Sequence, residues 1–117
     1  MGTLDTHMYN SHGNDAYDQL KNVSTCNEVG RISSEFLNYS LLREVACTQV
    51  YGKWENTNKL LSDGFEGIKT GSTETAGPCL AAHYKGIIIV VLNSKSMGDR
   101  WVEVKKLVKW IINKTNR

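Results

Sequence analysis

Proline, cysteine and long apolar runs are scarce in this sequence of 117 residues. Its three cysteines, Cys26, Cys47 and Cys79, are odd in number and widely spaced, so they form neither a complete disulfide framework nor a Cys-x-x-Cys metal pair. We expect buried thiols instead. The longest apolar run, residues 87–92, is far shorter than the roughly 20 residues that span a bilayer, so we predict no transmembrane segment.

A large excess of charge of one sign is also missing. The formal net charge is +2, which does not favour nucleic acid as a partner, because phosphate binders concentrate many cations on one face. A composition of 40% hydrophobic and 22% charged residues, with no internal repeat, is typical of one small globular domain. Residues 1–8 lack the apolar stretch of a signal peptide. They resemble an expression leader, so we exclude them from the fold prediction and expect the domain at residues 9–117.

Apolar residues recur at helical spacing in three segments. The first begins at an N-cap, Ser24 or Thr25, and reaches Asn38. The second covers residues 40–46, with Ser40 as its expected cap, and the third follows Gly98. The apolar stripe of the third segment consists of Trp101, Val104, Val108 and Ile111, flanked by Leu107 and Ile112.

Short runs separated by glycine predict three strands between the second and third helices, at residues 64–70, 79–84 and 87–92. The two residues 85–86 suit a hairpin, and residues 71–78 could form a longer loop. The last run, from Ile87 to Leu92, is apolar at every position, which is typical of a strand covered on both faces. We therefore predict an α+β fold: an antiparallel β-meander of about three strands, packed against helices on both sides.

One short motif carries chemistry. Lys69, Thr70 and Gly71 stand at the end of the first predicted strand and are followed by Ser72. Alone, the tripeptide is weak evidence, because an ordinary strand end with a turn glycine has the same composition. Its context strengthens it, since Asn-Thr-Asn-Lys-Leu-Leu at residues 56–61 precedes it and a predicted hairpin follows.

This stretch resembles the third active-site motif of serine-type D-alanyl-D-alanine carboxypeptidases, which are low-molecular-weight penicillin-binding proteins related to β-lactamases. Asn-Ser-His-Gly at residues 10–13 resembles a turn of that family, with Asn14 in place of its leucine. Asn-Val-Ser-Thr at residues 22–25 resembles the start of a family helix, with Cys26 in place of alanine. The resemblance implies the C-terminal portion of the catalytic domain, with a partial β-lactamase/transpeptidase-like fold. His12 beside Ser11 then belongs to a structural turn.

The resemblance also implies roles for the motif. Lys69 and Thr70 would hold the terminal carboxylate of a peptide ending in D-alanine, or the carboxylate of a β-lactam. The backbone N–H of Ser72 would supply half of an oxyanion hole, and Gly71 would let the substrate backbone approach closely. The substrate would lie antiparallel to the strand. The resemblance implies neither a metal nor a cofactor.

Two other family motifs have no counterpart in the sequence. No serine has a lysine three residues later, and no serine or tyrosine fits Ser-x-Asn or Tyr-x-Asn. We therefore expect no catalytic nucleophile in this chain, and no reaction by the chain alone. The preferred hypothesis is one portion of a genuine carboxypeptidase; the alternative is a noncatalytic family member that acts as a peptide-binding or protein-interaction module. The presence of both motifs elsewhere in the parent reading frame would favour the first hypothesis.

The resemblance implies a five-stranded sheet in which another strand lies beside residues 87–92. An unpaired apolar edge is a template for pairing with another chain. We therefore predict self-association through the strand from Ile87 to Leu92, or a complementing fragment.

The last helix offers one further alternative. Its cations could contact an anionic membrane, since its opposite face is apolar. Packing of that face on the core is the preferred interpretation. The cations are Lys105, Lys106, Lys109, Lys114 and Arg117.

Overall fold

The computed structural model describes residues 2–15 and 20–116. The described elements are, in chain order, α1 (Cys26–Phe36), α2 (Ser40–Cys47), β1 (Val50–Tyr51), β2 (Trp54–Glu55), a 3-10 turn (Leu61–Asp63), β3 (Ile68–Thr73), β4 (Gly77–Tyr84), β5 (Ile87–Val91) and α3 (Asp99–Thr115). Met1, in the predicted leader, and Arg117, among the helix cations, lie outside the described residues.

Strands β3, β4 and β5 form the main sheet, and each pairs antiparallel with the next. The β4–β5 connection is the predicted hairpin, in which Tyr84 pairs with Ile87 across two residues with positive φ, Lys85 at 46° and Gly86 at 82°. Such angles suit a two-residue turn between twisted strands. The predicted meander and the α+β class are confirmed.

Helices cover both faces of this sheet. On one face, Leu80 and Val91 pack with Val104 and Val108 of α3 in the buried core. Because side chains alternate along a strand, Val90 points to the opposite face, where α1 lies: a Cβ at Gly30 of that helix would sit 3.9 Å from Val90 Cγ2. The expectation that β5 is covered on both faces is confirmed.

Of the two helix N-caps predicted from the sequence, one is confirmed and one is wrong. Thr25 caps α1, since its hydroxyl accepts a hydrogen bond from the Glu28 N–H at 3.2 Å. The prediction that Ser40 caps α2 is wrong. Ser40 is the first residue of that helix, and Tyr39 occupies the N-cap position without a side-chain hydrogen bond.

The observed strands differ from the predicted strands in two places. Strand β3 begins at Ile68 rather than residue 64 and continues through Gly71 to Thr73, so the predicted loop 71–78 shrinks to a tight turn at residues 74–76. The short hairpin of β1 and β2 was not predicted. All four of its strand residues are exposed, so no alternation of apolar and polar residues marks them in the sequence.

The N-terminal segment takes part in the fold, although the sequence led us to exclude it. His7 and Val23 exchange two backbone hydrogen bonds, of 3.0 and 3.1 Å. The Glu28 carboxylate accepts the backbone N–H of Leu4 at 3.1 Å and the hydroxyl of Thr6 at 2.6 Å. These contacts tie Leu4 and Thr6 to α1 and His7 to Val23, just before that helix. The interpretation of residues 1–8 as an expression leader stays a prediction.

All three cysteines are free, and the expectation of buried thiols is wrong for each of them. Cys26 is exposed, and Cys47 and Cys79 are half-buried. In the part of the chain that is described, no helix is long and apolar enough to cross a membrane.

Candidate functional site

Strand β3 lies at one edge of the main sheet and carries the Lys-Thr-Gly motif in its middle, not at its end. His83 of β4 exchanges backbone hydrogen bonds with the residues just before β3: its N–H donates to the Gly67 carbonyl at 3.2 Å, and its carbonyl accepts the Glu66 N–H at 2.8 Å. Bonded and non-bonded pairs alternate along an antiparallel ladder. Thr70 and Ser72 therefore direct their main-chain groups away from β4, toward the open edge.

The side chains of the motif are accessible on this strand. Lys69 is exposed and donates its ammonium to the carbonyl of Thr70, one of the outward main-chain groups. Gly71 has no atom within 4 Å of the position that a Cβ would occupy, so the strand surface is open there. Ser72 is exposed as well. A cation, outward N–H groups and an uncovered backbone thus share one strand edge.

A loop before β3 adds a hydroxyl to this edge. Thr57 Oγ1 lies 2.7 Å from Thr70 Oγ1, and either hydroxyl could be the donor. The loop is held by two asparagines. The side-chain amide of Asn56 donates to the Ala46 carbonyl at 3.2 Å, and the side-chain oxygen Oδ1 of Asn58 accepts the Leu60 N–H at 3.0 Å. Local side-chain bonds of this kind are typical of asparagine in turns, and here they fix the position of Thr57.

Arg100, in the first turn of α3, stabilises the strand that carries the motif. Its side chain is buried, with 6% of the residue exposed, and Nη1 donates to the carbonyls of Gly71 at 3.3 Å and Cys79 at 3.2 Å. The guanidinium carbon lies 4.4 Å from the ring centroid of Trp101, a cation–π distance. One buried cation thereby joins β3, β4 and α3.

A cavity of about 560 Å³ adjoins the motif between the Thr57 loop and the start of α3. Arg100 lines it, and Arg100 Nε is a buried donor without a hydrogen-bond partner. Lys59 adds a second cation and Glu55 one carboxylate to the lining. The cavity is connected to the motif through Thr57 and Arg100, which contact Thr70 and Gly71.

The turn after β3 is anchored to the N-terminal segment. The Asp15 carboxylate accepts the Thr75 N–H at 3.1 Å, and Lys21 Nζ donates to the Thr75 hydroxyl at 3.0 Å. The hydrogen bond from the Thr75 hydroxyl is the main reason that the pKa of Asp15 lies below its ordinary value. The far end of the motif strand is therefore positioned by residues that lie some 50 to 60 positions earlier.

Two described side chains that could act as a nucleophile or a base, those of Cys47 and His12, are not prepared for either role. Cys47 is half-buried, and burial together with the nearby Glu66 charge raises the pKa of its thiol, which disfavours the reactive thiolate. His12 lies in the predicted turn, where its Nδ1 accepts the Asn14 N–H at 3.0 Å. That bond occupies the nitrogen which could otherwise serve as a base.

Comparison with known proteins places this fold in a class. The fold is similar to part of a DD-transpeptidase, so the chain is a penicillin-binding-protein-like domain. A family model described as D-alanyl-D-alanine carboxypeptidase matches residues 1–96. The chain belongs to the D-alanyl-D-alanine carboxypeptidase family, and the resemblance stated from the sequence is confirmed.

The similar solved structure is an arginine-to-leucine mutant of the Streptomyces K15 DD-transpeptidase. It is 31% identical in sequence, with a TM-score of 0.65, and the match covers 81% of this chain and 43% of the Streptomyces chain. This chain thus spans less than half the length of that protein. A search of the curated proteins found no match.

The sequence located the motif strand but missed two residues that the fold brings to it. Lys69, Thr70, Gly71 and Ser72 lie together on β3, while their role in substrate binding stays a prediction. Thr57 stood within the flanking segment without an assigned role. Arg100 was overlooked, although it lies four residues before Val104 and eight before Val108, on the buried stripe of α3. A charged residue at such a position indicates a specific buried partner.

Proposed function

We propose that this chain provides the carboxylate-binding side of the acyl-transfer site of a serine-type D-alanyl-D-alanine carboxypeptidase. The observation that carries the proposal is the open edge of β3. There the Lys69 ammonium contacts the outward carbonyl of Thr70, and the main-chain groups of Ser72 face the same edge. An exposed edge of this kind accepts an extended peptide as an additional strand.

The charges and donors of the edge suit a peptide with a free C-terminus. The Lys69 ammonium and the Thr70 hydroxyl provide charge-assisted hydrogen bonds to a terminal carboxylate. In the free chain, the ammonium instead donates to the Thr70 carbonyl, and the hydroxyl contacts Thr57. A bound carboxylate would replace both contacts without movement of the strand.

The outward N–H of Ser72 suits the second task of the site, which is to stabilise an oxyanion. A carbonyl oxygen becomes an oxyanion when a nucleophile adds to the carbonyl carbon, and a fixed N–H stabilises that charge. The N–H of Ser72 lies two residues along the strand from that of Thr70, on the same edge. An antiparallel peptide held at Lys69 and Thr70 would bring its scissile carbonyl to this donor.

The nucleophile has to come from residues outside this sequence. In the reaction, a serine oxygen bonds to the carbonyl carbon, the bond to the last D-alanine breaks, and its nitrogen leaves with a proton. A serine needs a nearby base for this step, and no serine here has a lysine three residues later. The chain alone is therefore expected to bind such peptides without cleaving them.

Peptide titration followed by amide NMR tests the binding side. A peptide ending in D-Ala-D-Ala should shift the amide signals of Thr70 and Ser72, whereas the same peptide with a C-terminal amide should not. Lys69→Met should weaken binding at least tenfold, because it removes the cation from an exposed position without altering the core. Equal binding of both peptides would contradict the proposal.

Intact-mass spectrometry after incubation with penicillin tests the expectation that the chain alone carries no activated nucleophile. The mass of the chain should remain unchanged, because acylation needs an activated serine. A stable penicillin adduct would show that a nucleophile is present and would refute this part of the proposal.

A further inference from the structure

A second hydroxyl lies beside the motif, on the loop that precedes β3. Thr57 is exposed, and its Oγ1 lies 2.7 Å from Oγ1 of the half-buried Thr70. Two hydroxyls at this distance share one hydrogen bond, in which one O–H donates and the other oxygen accepts. The hydrogen of the accepting hydroxyl is not used in that bond, so the pair can donate to a ligand.

The main chain around Thr57 is fixed on both sides. The side-chain amide of Asn56 donates to the carbonyls of Ala46 at 3.2 Å and Thr48 at 3.0 Å, at the C-terminal end of α2. Its side-chain oxygen accepts the N–H of the buried Asn58 at 2.9 Å. The Thr57 hydroxyl can therefore turn about its own Cβ–Oγ1 bond while the loop stays in place, so binding orders little besides that one group.

The charges near Thr57 favour an anion. Thr57 lines the cavity beside the motif, and among the described residues the cations Lys59 and Arg100 line it as well, against the carboxylate of Glu55. A cleft with an excess of one charge attracts ligands of the opposite sign. A carboxylate only accepts hydrogen bonds, at two oxygens, whereas an amide offers one acceptor oxygen and no charge. Two neighbouring hydroxyl donors therefore suit a carboxylate better than an amide.

We infer that Thr57 is a further binding residue for the substrate carboxylate, which its hydroxyl and that of Thr70 hold together, one at each oxygen. The inference rests on the proposed function, in which the carboxylate replaces the contact between the two hydroxyls. Once that contact opens, both hydroxyls are free to donate, and the carboxylate has an oxygen for each. The second donor raises the preference for a free C-terminus over an amidated one.

Peptide titration of the full chain, followed by the amide signals of Ser72, tests the inference. Thr57→Val should bind a peptide ending in D-Ala-D-Ala about tenfold more weakly, because a hydrogen bond to a charged group is roughly twice as strong as a neutral one. Thr57→Ser keeps the hydroxyl and should bind nearly as well as the unaltered chain. Thr115→Val, an exposed change at the C-terminal end of α3, is the control and should leave binding unchanged. Equal affinity of Thr57→Val and the unaltered chain would overturn the inference.

A double-mutant cycle separates a direct contact from an effect that passes through Thr70. In a Thr70→Val background, Thr57→Val should still weaken binding, since Thr57 loses its own hydrogen bond to the carboxylate. If Thr57 only oriented the Thr70 hydroxyl, the second change would have no effect in that background, and this outcome would refute the inference. The slope of the amide shifts against peptide concentration gives the comparison even where binding is weak.

The inference and the proposed function fail in distinguishable ways. If the unaltered chain does not bind the peptide with a free carboxylate, the proposed function fails, and the inference fails with it. If the unaltered chain binds that peptide and Thr57→Val binds it equally well, only the inference fails.

Discussion

Glu28 is a buried carboxylate that joins two segments of the chain. It is 6% exposed and accepts the Thr6 hydroxyl and the backbone N–H groups of Leu4 and Asp5. Hydrogen bonds to the charged form lower the pKa of a carboxyl group, and the Thr6 hydroxyl is the largest cause of the lowered pKa of Glu28. Folding of the N-terminal segment is therefore linked to the ionisation of this residue.

The sign of this linkage predicts a dependence on pH. Since the folded pKa lies below the unfolded value, the stabilisation is complete above the ordinary glutamate pKa of about 4.3 and is lost as the pH falls through the lowered value. Glu28→Gln should lower the urea midpoint at neutral pH and flatten its decline in acid. Glu35→Gln, an exposed change on the same helix, is the control and should do neither. An unchanged acid profile in Glu28→Gln would contradict the prediction.

Arg100 is the second residue whose removal should have a large effect. Arg100→Met keeps the apolar part of the side chain but leaves the Gly71 and Cys79 carbonyls without this donor. We expect a loss of about 2 kcal/mol in the free energy of unfolding, since buried hydrogen bonds to charged groups contribute roughly 1.5–3 kcal/mol. Urea denaturation measures it. Lys106→Met, which removes an exposed cation from the same helix, should change stability little; equal effects of the two changes would argue against the role of Arg100.

For the helices and strands, the pattern of apolar residues determined which elements could be predicted from the sequence. Val104 and Val108 of the α3 stripe and Val91 of the apolar run in β5 lie in the buried core. Both segments were found because burial leaves a pattern of apolar residues in the sequence. The β1–β2 hairpin has exposed strands and left no such pattern. The end of β3 was misplaced for another reason: Gly71 looked like a turn residue, but it lies inside the strand.

The turn between β3 and β4 depends on a different glycine. Gly77 has a φ of 71°, and a Cβ there would lie 2.4 Å from Asn93 Oδ1 and 3.3 Å from Asn93 Cα. Gly77→Ala should therefore destabilise the fold by about 1–3 kcal/mol, through backbone strain and the close contact. Urea denaturation measures the loss.

Two other glycines serve as controls that separate backbone strain from the close contact as causes of this loss of stability. Gly52 also has a positive φ, of 59°, but nothing lies within 4 Å of its Cβ position, so Gly52→Ala reports strain alone. Gly71 has neither a positive φ nor a close neighbour, and Gly71→Ala should leave stability nearly unchanged. A Gly77→Ala variant as stable as Gly71→Ala would contradict the prediction.

For the whole molecule, the two edges of the main sheet have different chemistry. The β3 edge carries a cation, a hydroxyl and open main-chain donors, whereas the β5 edge is apolar. The proposed function assigns the β3 edge to a peptide with a free carboxylate. Helices α1 and α3 cover the faces between the edges, so such a peptide would approach in the plane of the sheet.

The sequence by itself determined the family, the α+β class, the order of the main strands and helices, and the strand that carries the motif. All of these follow from short-range order, either periodic burial or a string of neighbouring residues. Only the tertiary structure decided which distant groups meet that strand. Thr57 reaches Thr70 across 13 positions, Arg100 reaches Gly71 across 29, and Glu28 holds Thr6 across 22. Such contacts depend on how the chain folds back on itself, and no local pattern of residue types encodes them.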